Sequence, residues 1–235
     1  MEQRFQGQVI LVTGGTGALG SAVARAFLGE GANVVVTYRA QPEYEDLARL
    51  LPAAGGKLKG FNVDVTDERA MLGMIAAVNG EFGRIDVLVN TVGGYSGGAK
   101  LWEVESATLE RMLALNLRSA FVSARSVLPT LLKQGYGYIV NVAAKAALDQ
   151  PGGAAAYVAS KAAALALMHS LALDLKGTAI RVNSITPNII DTAANRRDMP
   201  QADFNGWSKV DDIARVILFL CTPDARVING AAIPV

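Results

Sequence analysis

Tyr157 and Lys161 lie four residues apart in an Ala-rich run, GGAAAYVASKAAALALMHSLALDL, at residues 152–175. That spacing is about one helical turn, so both side chains share a face. An ammonium beside a phenol favours the phenolate and lowers a pKa that is ordinarily about 10. Tyr157 is therefore a candidate for giving up or taking back a proton near neutral pH. Taken alone, the pair reads more readily as an ordinary surface Tyr and Lys, and the surrounding chain has to decide between the two.

A second candidate is TGGTGALG at residues 13–20, which follows the apolar run 9–12 and precedes SAVARAFLGEGA with helical spacing. Strand, glycine turn and helix is the order that seats a pyrophosphate. The glycines let backbone approach the phosphates, and the helix N-terminus offers unpaired N–H groups and a positive dipole end. Gly14, Thr16, Gly17, Ala18 and Leu19 are the candidate contacts. The next strand, 33–37, runs into Tyr38 and Arg39, with no Asp or Glu at positions 37 to 39. An acid there would grip a ribose 2′-hydroxyl, whereas Arg39 suits a 2′-phosphate, so NADP(H) is favoured over NAD(H).

Positioning these residues requires a scaffold, and the hydrophobic pattern predicts one. Helical spacing at 44–51 ends at Pro52 and the Gly55-Gly56 loop, and a third strand follows at 57–63, closed by Asp64 and Val65. Thr66, Asp67 and Glu68 mark a helix start. A fourth strand, 86–90, runs into TVGGYSGG, and a helix at 109–132 carries Asn116 inside it and Pro129 near its end, where a kink or early stop is expected. A fifth strand at 138–142 precedes the Ala-rich helix, and a sixth at 181–185 ends in Thr186 and Pro187. Residues 188–208 are polar and irregular, with the character of a lid, before a last helix at 211–220 and a short strand at 231–235. Strands alternate with helices throughout, without linker or repeat. The expectation is a single α/β domain over residues 1–235, a Rossmann-type doubly wound parallel sheet.

Composition narrows the function. Apolar residues make up 51% of 235, with 24 glycines, which suits strands buried on both faces. A net charge of +1 gives no electrostatic case for nucleic acid or an anionic membrane. One cysteine, Cys221, and one histidine, His169, exclude an intrachain disulfide and argue against a Cys/His metal site. The N-terminus, MEQRFQGQ, lacks the order of a signal peptide, and the Ala-rich run is interrupted by Lys161, His169 and Asp174. The expectation is a cytoplasmic protein acting on a small molecule.

Together TGGTGALG, Asp64-Val65, NTVGG at 90–94, Asn116, Tyr157 with Lys161, and PNIIDT at 187–192 resemble the short-chain dehydrogenase/reductase family, over almost the whole chain and in order. The resemblance implies nicotinamide-dependent hydride transfer with Tyr157 as the proton donor. Lys161 would bind the nicotinamide ribose and depress the Tyr157 pKa, and Asn116 would kink its helix and hold a water of the proton relay. Asp64 and Val65 would border adenine, Asn90 and Gly93 the ribose side, and Pro187, Ile190 and Thr192 the carboxamide. The Ala-rich helix would pack against a partner subunit, giving a homodimer or homotetramer.

Two departures stand out. The family's usual catalytic serine lies 13 residues before the tyrosine, where this chain has Ala144, flanked by Ala143, Lys145 and Ala146. Alanine cannot hydrogen-bond a carbonyl oxygen, so one oxyanion donor is missing. The glycine turn also has Ala18 where most single-domain members have glycine. Both features resemble the dihydropteridine reductase branch, as do GGYSGG at 93–98, AKAALD at 144–149 and DTAANRRDMPQADFNGW at 191–207. That branch implies an activated imine substrate such as a quinonoid dihydropterin, with Tyr95 as a ring-stacking wall. A general carbonyl or quinone reductase is the alternative within enzymes, and Ala144 also permits a nucleotide-sensing or scaffold protein that has lost the chemistry.

Overall fold

A computed structural model describes residues 3–50 and 56–235. Six strands run parallel in the main sheet, β1 (Val9–Thr13), β2 (Asn33–Tyr38), β3 (Leu58–Asn62), β4 (Val87–Asn90), β5 (Tyr136–Val142) and β6 (Ala179–Thr186). With the C-terminal strand β9 (Ala232–Pro234) the order is β3-β2-β1-β4-β5-β6-β9. Each lies within two residues of its predicted bounds; in β1, β2 and β4 buried apolar runs leave little choice of register.

Alternation along β1 shows the two layers. Ile10 and Val12 pack with α1 (Ala18–Gly29) and α9 (Val210–Leu220), whereas Val9 and Leu11 pack with α3 (Glu68–Phe82), α5 (Ser119–Gln134) and the late part of α7 (Ala155–Asp174). The chain order reverses between β1 and β4, where Thr13 and Asn90 are in register. In an open parallel sheet the crevice at that reversal is where ligands bind.

Four expectations need correction. The Ala-rich helix begins at Ala155, not at residue 152, because Gly153 takes a left-handed φ of 78°. The helix predicted for 109–132 is three pieces: α4 (Ser106–Met112), a π-helical stretch (Leu113–Arg118) and α5. Pro129 does not stop α5, which continues to Gln134 and ends at Gly135, whose N–H closes on Leu131 and Leu132 carbonyls. Helix α2 (Gln41–Leu50) starts earlier than predicted, at Gln41, and its expected stop at Leu51, Pro52 and Gly55 lies outside the described residues.

Residues 188–208 are more regular than expected. β7 (Ile190–Asp191) pairs in parallel with β8 (Ser208–Lys209), enclosing a short helix, α8 (Ala193–Asp198), and a 3-10 turn (Phe204–Gly206). Between β5 and α7 lies one further short helix, α6 (Ala146–Asp149).

Candidate active site

The glycine turn is fastened to the neighbouring strand. Gly14 N–H donates to Thr37 Oγ1 at 2.9 Å, and Gly15 N–H to the Thr37 carbonyl at 3.1 Å. Thr37 was not apparent as a partner in the sequence. Gly20 lies so close to the turn that a Cβ there would sit 2.2 Å from the Gly14 carbonyl oxygen, which explains the last glycine of the motif. Leu19 is buried, while Gly17 and Ala18 are exposed at the start of α1, which has no side-chain cap and no acid in its first turn. Those N–H groups are the kind that accept an anion. Thr16 carries an unforeseen partner: its hydroxyl donates to Glu43 of α2 at 3.0 Å.

Arg39 follows the end of β2 and is exposed, its carbonyl accepting from Asn62 Nδ2 at 2.9 Å. Asp64 accepts from Thr66 through both N–H (2.8 Å) and hydroxyl (2.7 Å). Those two bonds, assisted by Arg39 and Arg118, hold its carboxyl below the usual range, and Val65 beside it is buried. Asn90 is buried with its Oδ1 accepting from Thr13 Oγ1 at 3.3 Å, and its Nδ2 has no partner among the described residues. Asn141 Nδ2, in register with it on β5, and Thr186 Oγ1 at the end of β6 are likewise unpaired among the described residues. Buried polar groups left unpaired along the C-terminal edge of the sheet fit a polar ligand there.

Across the crevice, the helix that carries Asn116 and the helix that carries Tyr157 are stitched together. Asn116 is buried in the π-helical stretch; its Oδ1 accepts from Gly94 N–H at 2.9 Å, and its Nδ2 donates to the Gly94 carbonyl at 3.0 Å and to Ser160 Oγ at 2.9 Å. Ser160 donates in turn to the Tyr157 carbonyl at 2.7 Å. Ser160 was missed in the sequence; a serine three residues after Tyr157 carries no signal of a partner 44 residues away. These bonds use both Nδ2 protons and one of the two acceptor positions of Oδ1, so the side chain clamps Gly94 to α7. Gly93 is required by the same crowding, since a Cβ there would lie 2.9 Å from Asn116 Oδ1 and 3.0 Å from Lys161 Nζ.

The electrostatics of the central pair differ from the sequence expectation. Lys161 is buried and donates to the Val142 carbonyl at 2.9 Å, and burial lowers its pKa to about 8. Burial, and secondarily the neighbouring Tyr95, push Tyr157 up to about 12. Lys161 does not depress Tyr157 in this arrangement, because desolvation of the phenol outweighs an ammonium turned towards a strand-end carbonyl. The tyrosine therefore holds its proton at neutral pH, the state an acid requires. Tyr95 packs edge-on against Tyr157, with ring centroids 4.9 Å apart, and is 69% exposed. It forms an open wall beside the phenol.

Ala144 is buried two residues beyond Val142, the residue that holds Lys161, and no hydroxyl stands at 143 to 146. Pro187 is buried, its carbonyl accepting from Lys145 N–H at 2.8 Å. Ile190 lies in β7, while Thr192 caps α8 by accepting from Asn195 N–H at 3.1 Å. Arg196 lies half-exposed in the segment 188–208. It forms a bidentate pair with Asp191 (2.6 and 2.7 Å) and lies over Phe204, 4.7 Å from the ring centroid. Phe204 packs edge-on against the buried Trp207 at 4.7 Å.

Fold and crevice define a class: a parallel-sheet, nucleotide-dependent oxidoreductase with a tyrosine beside the cofactor cleft. The description "short chain dehydrogenase" matches residues 8–203, and the chain belongs to that family. It is 35% identical over 239 residues to 2-(R)-hydroxypropyl-CoM dehydrogenase of Xanthobacter autotrophicus, covering 96% of both chains. To meso-2,3-butanediol dehydrogenase of Serratia marcescens it is 33% identical over 249 residues, covering 99% of this chain and 94% of the other. Among solved structures, NAD+-bound xylitol dehydrogenase superposes with a TM-score of 0.91 at 28% identity, over 99% of this chain and 98% of that one.

Proposed function

We propose that this enzyme is an NADPH-preferring reductase of an activated C=N or C=O group, with Tyr157 as the proton donor. A bound NADPH supplies hydride from nicotinamide C4. The glycine turn, from Gly14 to Leu19, and the start of α1 hold the pyrophosphate, Arg39 the 2′-phosphate, Asp64 and Val65 the adenine edge, and Asn90 and Gly93 the ribose. Pro187, Ile190 and Thr192 border the carboxamide. Lys161 carries the nicotinamide ribose hydroxyls, and Asn116 holds the loop 93–95 against α7. A ketone gains hydride at carbon and the Tyr157 proton at oxygen, whereas a quinonoid dihydropterin gains both the hydride and the proton at nitrogen, its ring-fusion carbons ending as an unsaturated pair without hydrogen; solvent then replaces the Tyr157 proton.

The observation that carries the substrate reading is Ala144. With no hydroxyl at 143 to 146, nothing from this stretch polarises a ketone oxygen, so the site suits a substrate that is already electrophilic. A quinonoid dihydropterin has that character, and Tyr95 offers it an aromatic wall beside Tyr157. The relatives named for hydroxypropyl-CoM and butanediol support a second reading, a general carbonyl reductase. A homodimer or homotetramer accompanies both.

One experiment separates them. NADPH oxidation is followed with a quinonoid dihydropterin and with an aromatic ketone, for the wild type, Tyr157→Phe and Ala144→Ser. The pterin reading expects pterin turnover that Tyr157→Phe reduces at least 100-fold and Ala144→Ser leaves within about threefold. One oxyanion donor is typically worth about 10²–10³ in rate, so ketone turnover confined to Ala144→Ser, with no pterin turnover, would overturn it.

A further inference from the structure

Glu43 stands where the adenosine end of the cofactor is expected and has no part in the assignments above. It occupies the first turn of α2 and accepts the Thr16 hydroxyl at 3.0 Å, across 27 residues of sequence. Two contacts fix that turn against the end of β2. The Tyr38 hydroxyl donates to Gln41 Oε1 at 2.6 Å, and the Tyr38 and Tyr44 rings stack with centroids 5.0 Å apart and planes inclined by 11°. Glu43 therefore lies beside the glycine turn, in the same neighbourhood as Arg39, which follows β2 directly.

Resting on the cofactor reading above, we propose that Glu43 is a specificity-determining residue that opposes the 2′-phosphate Arg39 favours and keeps the site open to NAD(H). Two physical arguments support it. A hydroxyl has one proton to donate, and Thr16 gives it to Glu43; a dianionic phosphate offers only acceptors and cannot be served by that oxygen while the bond stands. A ribose 2′-hydroxyl, by contrast, donates to Glu43 or to Thr16 without displacing anything. The second argument is charge. The first turn of a helix attracts anions, but α2 already carries its own carboxylate there, which repels a phosphate brought alongside.

The test reads binding, not turnover. Isothermal titration of NADPH, NADH, 2′,5′-ADP and 5′-ADP is compared for the wild type, Glu43→Gln, Glu43→Asp and Arg39→Ala at low ionic strength. Glu43→Gln, which keeps the shape and removes the charge, should tighten NADPH and 2′,5′-ADP about three- to tenfold while NADH and 5′-ADP stay within about twofold. Glu43→Asp, which keeps the charge, should move the preference less than Glu43→Gln. A 2′-phosphate preference unchanged in Glu43→Gln would overturn the inference while leaving the cofactor reading intact. Failure of all four ligands to bind the wild type would remove both. An Arg39→Ala variant with unaltered preference would count against the Arg39 assignment alone.

Discussion

At the scale of single residues, the main departure from expectation is the charge state of the Tyr157–Lys161 pair, and it has a measurable consequence. Lys161 titrates at about 8 in the folded chain and near 10.4 when unfolded, so between those values the unfolded state binds more protons. Folding stability from this residue therefore rises as pH climbs from about 8 to 10. Tyr157, raised to about 12, acts oppositely, but only above pH 10, where the unfolded chain loses its phenolic proton first. Urea unfolding at pH 7.5 and pH 10 should show the wild type gaining roughly 2 kcal/mol relative to Lys161→Met across that window. Burial also pushes the Cys221 thiol up, and the variant shares that titration and the Tyr157 one, so the difference isolates the lysine. Parallel stability curves would mean that Lys161 is not held in a desolvated site. Tyr157 and Lys161 were legible because one turn of helix is a local relation. The carbonyl that takes the ammonium was not, since Val142 lies 19 residues away on β5. Ser160 with Asn116, and Thr37 with Gly14, were hidden for the same reason: their sequence separations of 44 and 23 carry no periodic signal.

Among elements, the strands were read to within two residues, whereas the helix expected at 109–132 is three pieces and short elements closed by side-chain contacts were not legible. The segment 188–208 shows why. Its polar composition suggested an irregular lid, yet Asp191, Arg196, Phe204 and Trp207 form a continuous chain of contacts across it, and β7 with β8 closes its base. Asp191, Arg196, Phe204 and Trp207 are the four residues of the stretch 191–207 that carry these contacts. A segment braced in this way should move as a unit about its ends rather than by melting. Arg196→Ala removes both the carboxylate pair and the ring contact. It should speed amide exchange across 188–208 and raise the substrate KM about three- to tenfold. The melting temperature should stay within about 2 °C, because the change is confined to a surface unit. Unaltered exchange together with an unaltered KM would show that the brace is not what orders the lid.

At the scale of the whole molecule, two hollows on the surface are the candidates for contact with another copy. α7 is apolar well beyond the face it lays on the sheet. Ala162, Leu165, Ala166 and His169 line a cavity of about 310 Å³ with residues 230–232 at the start of β9. A second apolar groove, of about 580 Å³, lies between the π-helical stretch, the start of α5 and Leu167, with Phe121 44% exposed on it. The two hollows draw on different residues, so they can serve two independent twofold contacts, and two such contacts at right angles close a tetramer. Net charge of +1 offers no long-range repulsion against that assembly. Light scattering at micromolar concentration should report about four times the 24.6 kDa chain mass, or twice if one contact is much the weaker. Phe121→Glu and Ala166→Glu each place a charge in one hollow and leave the other intact. Each single variant should therefore stop at a dimer, and the double variant should be a monomer that still melts cooperatively. A wild type that scatters as a 24.6 kDa particle would remove the assembly altogether. A tetramer unmoved by either substitution would put its contacts elsewhere on the surface.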